Sequence, residues 1–246
     1  MAADHHQTGL WVFGYGSLCW NPGFDYECCL VGRVRGWSRK FWQGNTTHRG
    51  TEGKPGRVAT MVQEKEGEVW GCAFLVRGEA ALPYLRDREC ELGGYRTLVA
   101  NFEPRRADRP AFPVLLYVAT PDNRHWLGDA PLPDMARHIA SSRGASGHNV
   151  EYVLRLAQFV RTIAPDSDED LFELERLVVA AVRESRQSVE ALMGAPPKPL
   201  HCFDDCSDSD ADGDGDGDGD GQVAGAGAGR HFTATVPPKK LRCLNM

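Results

Sequence analysis

Trp11-Val12-Phe13-Gly14-Tyr15-Gly16-Ser17-Leu18-Cys19-Trp20 is an apolar run that ends abruptly in a glycine-rich turn. Its first residues are β-branched or aromatic, which favours a strand. Gly14 and Gly16 let the backbone adopt φ > 0, or let another group approach the main chain closely. Successive N–H groups in such a turn form a concave nest suited to a carboxylate or a phosphate. A plain strand-end turn fits the same residues. Two familiar glycine signatures do not: a dinucleotide fingerprint needs a third glycine where Cys19 stands. A nucleophile elbow needs glycines two residues either side of Ser17, and Tyr15 and Cys19 occupy those places.

Outward from this turn the chain reads as strands first and helices after. Residues 29–42 and 57–65 are rich in β-branched and aromatic residues and partly alternate. Residues 68–77 follow a short Glu-Gly-Glu segment, which predicts a hairpin there. A short helix is expected over 79–87, then strands at 95–104 and 112–119. In 147–163, Val150, Val153, Leu154, Ala157 and Val160 form one helical stripe closed by Pro165. Asp166-Ser-Asp-Glu169 has capping-box spacing, and Leu171, Leu174, Leu177, Val178 and Ala181 carry the next stripe toward Gly194. Strands followed by helices predict an α+β fold: a mixed, mainly antiparallel, barrel-like sheet with helices packed outside.

Charge divides the chain unevenly. Of the net −6, residues 201–246 carry −5 and the first 200 residues −1. The body is nearly neutral, which gives no case for nucleic acid. Residues 1–9 are polar and flexible in expectation, the apolar run after them is too short for a signal peptide, and no segment approaches a membrane span. Eight cysteines without a secretory signal read as free thiols of a reducing compartment, the cytosol. Cys28 and Cys29 are adjacent on a strand and so face opposite sides. His201, Cys202 and Cys206 offer three zinc ligands without a second pair at the usual spacing, so no metal site is expected.

From 195 to 246 the periodicity dissolves into an acidic, glycine-rich tail, with Asp-Gly alternating from Asp212 to Gly221. Such a composition buries too little surface to offset ordering entropy, so the segment is expected to be disordered. Asp208, Asp210, Asp212 and Gly213 match the first half of a calcium loop, but its closing glutamate is replaced by Gly219. The organised domain is therefore expected over 10–194.

A second site is Arg88-Glu89-Cys90-Glu91-Leu92-Gly93-Gly94-Tyr95. Glycines close a helix well, yet a glutamate in the last turn is disfavoured by the helix dipole. A carboxylate base beside an anion-binding loop suits acyl or proton-transfer chemistry on a small anionic molecule.

Several motifs in one order carry a resemblance: WVFGYGSLCW at 11–20, KFWQGNTTHRGTEGKPGRVATMV at 40–62, REC-ELGGYRT at 88–97, PVLLYVAT at 113–120 and SGHNVEYVLRLAQF at 146–159. Over roughly 10–192 the chain resembles the ChaC-type γ-glutamylcyclotransferases specific for glutathione. The two residues between Arg-Glu and Leu-Gly-Gly-Tyr look more like the stress-induced vertebrate paralogue than the shorter constitutive one. The acidic-glycine tail matches neither.

The resemblance implies a γ-glutamylcyclotransferase-like fold and intramolecular attack of the glutamyl α-amine of glutathione on its own γ-carbonyl, giving 5-oxoproline and Cys-Gly. Glu89 matches the family's catalytic glutamate and would act as general base and acid. The Gly14-Tyr15-Gly16-Ser17-Leu18 loop would hold the substrate through main-chain N–H groups. No cofactor is implied. Apoptosis, the unfolded protein response and a Notch-type receptor partner are implied by the resemblance alone. Tyr95 could orient the carboxylate or serve the core, and Glu91 stands off the motif. Asn149, Glu151 and Tyr152 belong to a family motif, though Glu151 also fits helix-dipole stabilisation. Arg49, beside His48, could meet the glycyl carboxylate or sit in a bare surface loop. A cyclotransferase for other γ-glutamyl compounds and a binding protein without turnover are the rival readings.

Overall fold

The computed structural model describes residues 9–76, 95–198 and 200. Five strands close into a barrel: β1 (Leu10–Gly14), β2 (Cys28–Asn45), β3 (Gly56–Val76), β4 (Arg96–Pro104) and β5 (Phe112–Val118), in the order β1-β3-β2-β4-β5. Neighbours run antiparallel except β1 and β5, which complete the circle in parallel with Val12 opposite Leu115. The mixed, mainly antiparallel barrel expected from the sequence is the one observed.

β2 and β3 are 18 and 21 residues long, and a bulge lets them bend around the barrel. The register steps from Arg35 opposite Glu68 to Trp37 opposite Gln63. Gly36 sits at the step with φ +81°, a left-handed conformation that glycine adopts without strain. Glu66-Gly67-Glu68 therefore does not turn the chain, contrary to expectation. Both flanks of that segment pair with β2, and a Cβ on Gly67 would stand 2.5 Å from the Trp37 carbonyl oxygen. Its glycine answers a close approach inside one strand, and the hairpin turn lies at 46–55 instead.

Both faces of the sheet are covered. Phe13, Cys28, Leu30, Ala73 and Phe102 belong to one buried cluster, and Val12, Cys29, Val31, Phe74 and Val76 to another. Cys28 and Cys29 thus do face opposite sides. Cys19 and Cys72 are buried free thiols, whereas Cys28 and Cys29 are each disulfide-bonded, so the expectation of free thiols does not hold for these two residues.

Among the described residues four helices follow: α1 (Leu132–Ala140), α2 (Asn149–Ile163), α3 (Glu169–Glu184) and α4 (Val189–Leu192). A two-stranded ribbon, Arg143–Gly144 with Gly147–His148, joins α1 to α2. The sequence reading missed α1 because Pro131 and Pro133 look like loop punctuation, although proline fits a first helical turn. α2 and α3 were legible. Val150, Val153, Leu156, Ala157 and Val160 of α2 and Leu171, Leu174, Val178 and Val182 of α3 join the cluster that contains Phe13 and Phe102. α3 is capped by Asp168, not Asp166: the Asp168 carboxylate accepts the Leu171 amide at 3.1 Å. The stripe expected to run on to Gly194 breaks after α3, where Arg186 has φ +58°. Beyond α4, Leu200 packs against the cluster that contains Val12.

Candidate active site

At the end of β1 the chain enters a 3-10 turn over Ser17–Cys19. The Cys19 amide donates to the Gly16 carbonyl at 3.0 Å, and the Trp20 and Asn21 amides donate to Ser17 at 3.2 and 2.8 Å. The N–H groups that open a helical turn have no acceptor within it, and in this chain that opening edge borders a pocket. The pocket encloses about 380 Å³ including its open mouth. Its walls are Phe13, Gly14, Tyr15, Gly16, Ser17, Leu18, Ala59, Tyr95, Tyr117 and Tyr152. The five residues singled out as the loop, Gly14 to Leu18, all line it.

Of the two reasons the sequence offers for these glycines, close approach holds and positive φ does not. Gly16 has φ −127°, and among the described residues the glycines with positive φ are Gly23, Gly36, Gly128 and Gly147. Space decides instead. A Cβ on Gly14 would lie 2.6 Å from the Leu18 Cβ and 3.0 Å from the Phe74 ring, and one on Gly16 would lie 2.7 Å from the Tyr152 hydroxyl. Bare backbone at both positions lets the turn fold tightly against its neighbours.

Tyrosines give the pocket its chemistry. The Tyr15 hydroxyl donates to the Tyr117 carbonyl. The Tyr152 hydroxyl accepts the Ala59 amide at 3.1 Å, and its ring meets Trp20 and Phe41 edge-on. None of the described lining residues carries a formal charge. The described residues would meet a bound carboxylate with amides, hydroxyls and the dipoles of the turn. Cys19 adjoins the turn, with its thiol donating to the Gly14 carbonyl at 3.2 Å. Burial pushes that thiol up to about 12, against a smaller opposing pull from Arg39, and burial likewise raises Cys72. Neither is a thiolate near neutral pH, so neither is a ready nucleophile.

Behind the turn stands a residue that the sequence reading passed over. Arg39 is buried, and its Nε donates to the Tyr15 carbonyl at 3.1 Å while Nη2 donates to the Trp70 carbonyl at 2.6 Å. Its Nη1 pairs with Asp168, the cap of α3. The signal was available: Arg39, Phe41 and Gln43 are buried at alternate positions of β2.

Glu89, with Arg88, Glu91 and the helix expected at 79–87, lies outside the described residues, as do the tail's His201, Cys202 and Cys206 and the aspartates of its half calcium loop. Tyr95, which ends the same motif, is within them and lines the pocket. Among the described residues no group of three or more His, Cys, Asp or Glu side chains could hold a metal ion. No described helix is long and apolar enough to cross a membrane.

The other motif residues prove to be fasteners. Arg49 donates to Glu151 at 2.7 Å and to the His148 carbonyl at 3.0 Å, with both charged side chains about nine-tenths buried. Glu151 also accepts the Gly194 amide at 3.0 Å. Asn149 holds β3 like an added strand, accepting the Arg57 amide at 2.6 Å and donating to the Arg57 carbonyl at 2.8 Å. Of that motif, Tyr152 alone reaches the pocket.

A family model described as ChaC-like protein matches residues 10–181. The curated glutathione-specific gamma-glutamylcyclotransferase 1 of Danio rerio is 45% identical over 181 residues, covering 72% of this chain and 92% of the relative. The Homo sapiens protein of the same name is 48% identical over 170 residues, covering 68% of this chain and 77% of its own. Among solved structures, a yeast γ-glutamyl cyclotransferase specific to glutathione superposes with a TM-score of 0.64 at 25% identity, over 71% of this chain and 97% of that one.

Proposed function

This chain belongs to the ChaC-like family, and from that premise we propose that it is an enzyme degrading glutathione to 5-oxoproline and Cys-Gly. The glutamyl α-amine attacks the γ-carbonyl carbon, a five-membered lactam closes, and the amide bond to cysteine breaks. No water is consumed. The nucleophile belongs to the substrate, which accords with a pocket whose adjoining thiols stay protonated.

The α-amine is largely an ammonium near neutral pH and must lose a proton before it attacks. Glu89 takes that proton and returns it to the leaving amine of Cys-Gly, a role that rests on its place in the family motif. Orientation supplies much of the rest, because folding a flexible glutamyl chain toward a ring is largely an entropic problem. The Gly14–Leu18 turn holds the glutamyl half by its backbone amides, and the tyrosines enclose it. The observation that carries the reading is this tyrosine-walled pocket, uncharged among its described lining residues and built by the loop that heads the family match.

The domain limits 10–194 and a disordered tail over 195–246 belong to the same proposal. So do a cytosolic site of action and the stress-response, apoptosis and Notch-linked roles, which rest on the resemblance alone.

The test is to incubate the purified protein with glutathione and quantify products. Equal amounts of 5-oxoproline and Cys-Gly are expected, while N-acetyl glutathione, whose nucleophile is capped, should stay intact. Release of free glutamate, or of Cys-Gly from the capped peptide, would indicate hydrolysis and overturn the mechanism.

A further inference from the structure

The peptide between Tyr15 and Gly16 is held at its tyrosine end from two directions. The ring hydroxyl of Tyr15 reaches across to the Tyr117 carbonyl on β5, and the Tyr15 carbonyl is held by Arg39 Nε at 3.1 Å. The Arg39 side chain is 1% exposed, so the carbonyl points toward the interior of the fold. No peptide bond among the described residues is cis, and in a planar trans peptide the C=O and the next N–H point in opposite directions. An inward Tyr15 carbonyl therefore turns the Gly16 N–H away from Arg39, on the stretch of chain that lines the pocket.

We propose that Arg39, fixed by Asp168, is a positioning residue that sets the Gly16 amide as a donor for the anionic glutamyl half of the substrate. The proposal rests on the glutathione reading above. The guanidinium suits the task because its planar donors reach three elements at once: the pocket turn through Tyr15, β3 through the Trp70 carbonyl at 2.6 Å, and the start of α3 through Asp168. Lysine carries the same charge but not that fork. Asp168 serves two partners, since its carboxylate also accepts the Leu171 amide at 3.1 Å. The N-terminus of α3 thereby anchors the cation that orients the pocket backbone. Burial of the pair makes its arrangement discrete, because a buried charge that loses its partner is strongly penalised.

The experiment compares wild type, Arg39→Lys and Asp168→Asn for glutathione turnover, 5-oxoproline affinity by calorimetry, and thermal melting. Asparagine caps a helix as well as aspartate does, so Asp168→Asn keeps α3 while removing the charge that fixes Arg39. The expected result is a KM for glutathione raised on the order of tenfold in Arg39→Lys and severalfold in Asp168→Asn, with kcat within about threefold of wild type. The affinity for 5-oxoproline should weaken in parallel. A merely structural role would lower the melting temperature and the active fraction while leaving KM and 5-oxoproline affinity unchanged, and that outcome overturns the proposal. If Arg39→Lys does not fold, Asp168→Asn decides by the same criterion. A wild-type protein inert toward glutathione would instead overturn the activity on which the proposal stands.

Discussion

Gly16 packs directly against the Tyr152 hydroxyl, so that a Cβ added to the glycine would stand 2.7 Å from that oxygen. The oxygen is itself engaged by the Ala59 amide at 3.1 Å, so it cannot retreat without leaving a buried donor unpaired. Gly16→Val should therefore cripple glutathione turnover, and Gly16→Ala should impair it, far more than Ser17→Ala, which leaves every backbone donor in place. The clash is with one atom. Gly16→Ala should accordingly cost less in a Tyr152→Phe background than alone, and a double-mutant cycle on kcat/KM measures the difference. Additive losses would dismiss the contact, and a greater loss from Ser17→Ala would make the serine side chain the binding group.

Glu89→Gln keeps the shape of the side chain and removes the base. Turnover should fall on the order of 10²-fold or more, with the loss in kcat and the melting temperature unchanged. Near-normal kcat in the folded variant would remove Glu89 from the mechanism.

Glu151 secures the 46–55 loop and the segment after α4 to the start of α2, through Arg49 and the Gly194 amide. Glu151→Ala leaves the Arg49 guanidinium mostly buried without its carboxylate, and should destabilise the fold by about 3 kcal/mol. Denaturant unfolding reads this directly. A change below about 0.5 kcal/mol, the level of an exposed pair, would show that the two side chains are effectively solvated.

Much of this architecture was legible because local chemistry and tertiary packing agree. The helical stripe from Val150 to Val160 has one period and one fate, and β4 and β5 form within the segments expected as strands. What escaped were positions where a local signal has two physical meanings. Gly67 reads as a turn, but it accommodates the Trp37 carbonyl. Gly14 and Gly16 read equally as left-handed backbone or as room for a close approach, and only crowding by Leu18 and Tyr152 decides for the second. Asp166 has capping spacing, yet Asp168 wins because Arg39, distant in sequence, fixes it there. Arg49 looked like a surface cation because nothing local announces Glu151, and the same distance in sequence hid Arg39 behind the pocket. Tyr117 entered the site through barrel closure, which no local pattern specifies.

The tail should be dispensable for turnover. Residues 201–246 carry −5 of the net charge and little apolar periodicity, whereas Leu200 packs against the cluster that contains Val12. A chain ending after Leu200 should keep the melting temperature and glutathione turnover of the full chain. Loss of either would show that the acidic segment contributes to the body of the protein.

His148 makes the start of α2 sensitive to acid. Its Nδ1 accepts the Val150 amide at 3.2 Å, which requires that nitrogen to be unprotonated. Burial lowers the pKa of the imidazole, and Arg143, Arg49 and Lys54 lower it further. The folded state therefore binds its proton less readily than the unfolded chain, whose histidines titrate near about 6.5. As pH falls through that value the unfolded state takes up the proton first, so the contribution of His148 is present above about 6.5 and lost below it. His148→Asn supplies a capping oxygen at every pH. Between pH 7.5 and 5.0 the wild type should lose more melting temperature than His148→Asn, and the two should converge at the upper value. Equal losses across that interval would show that the cap does not titrate.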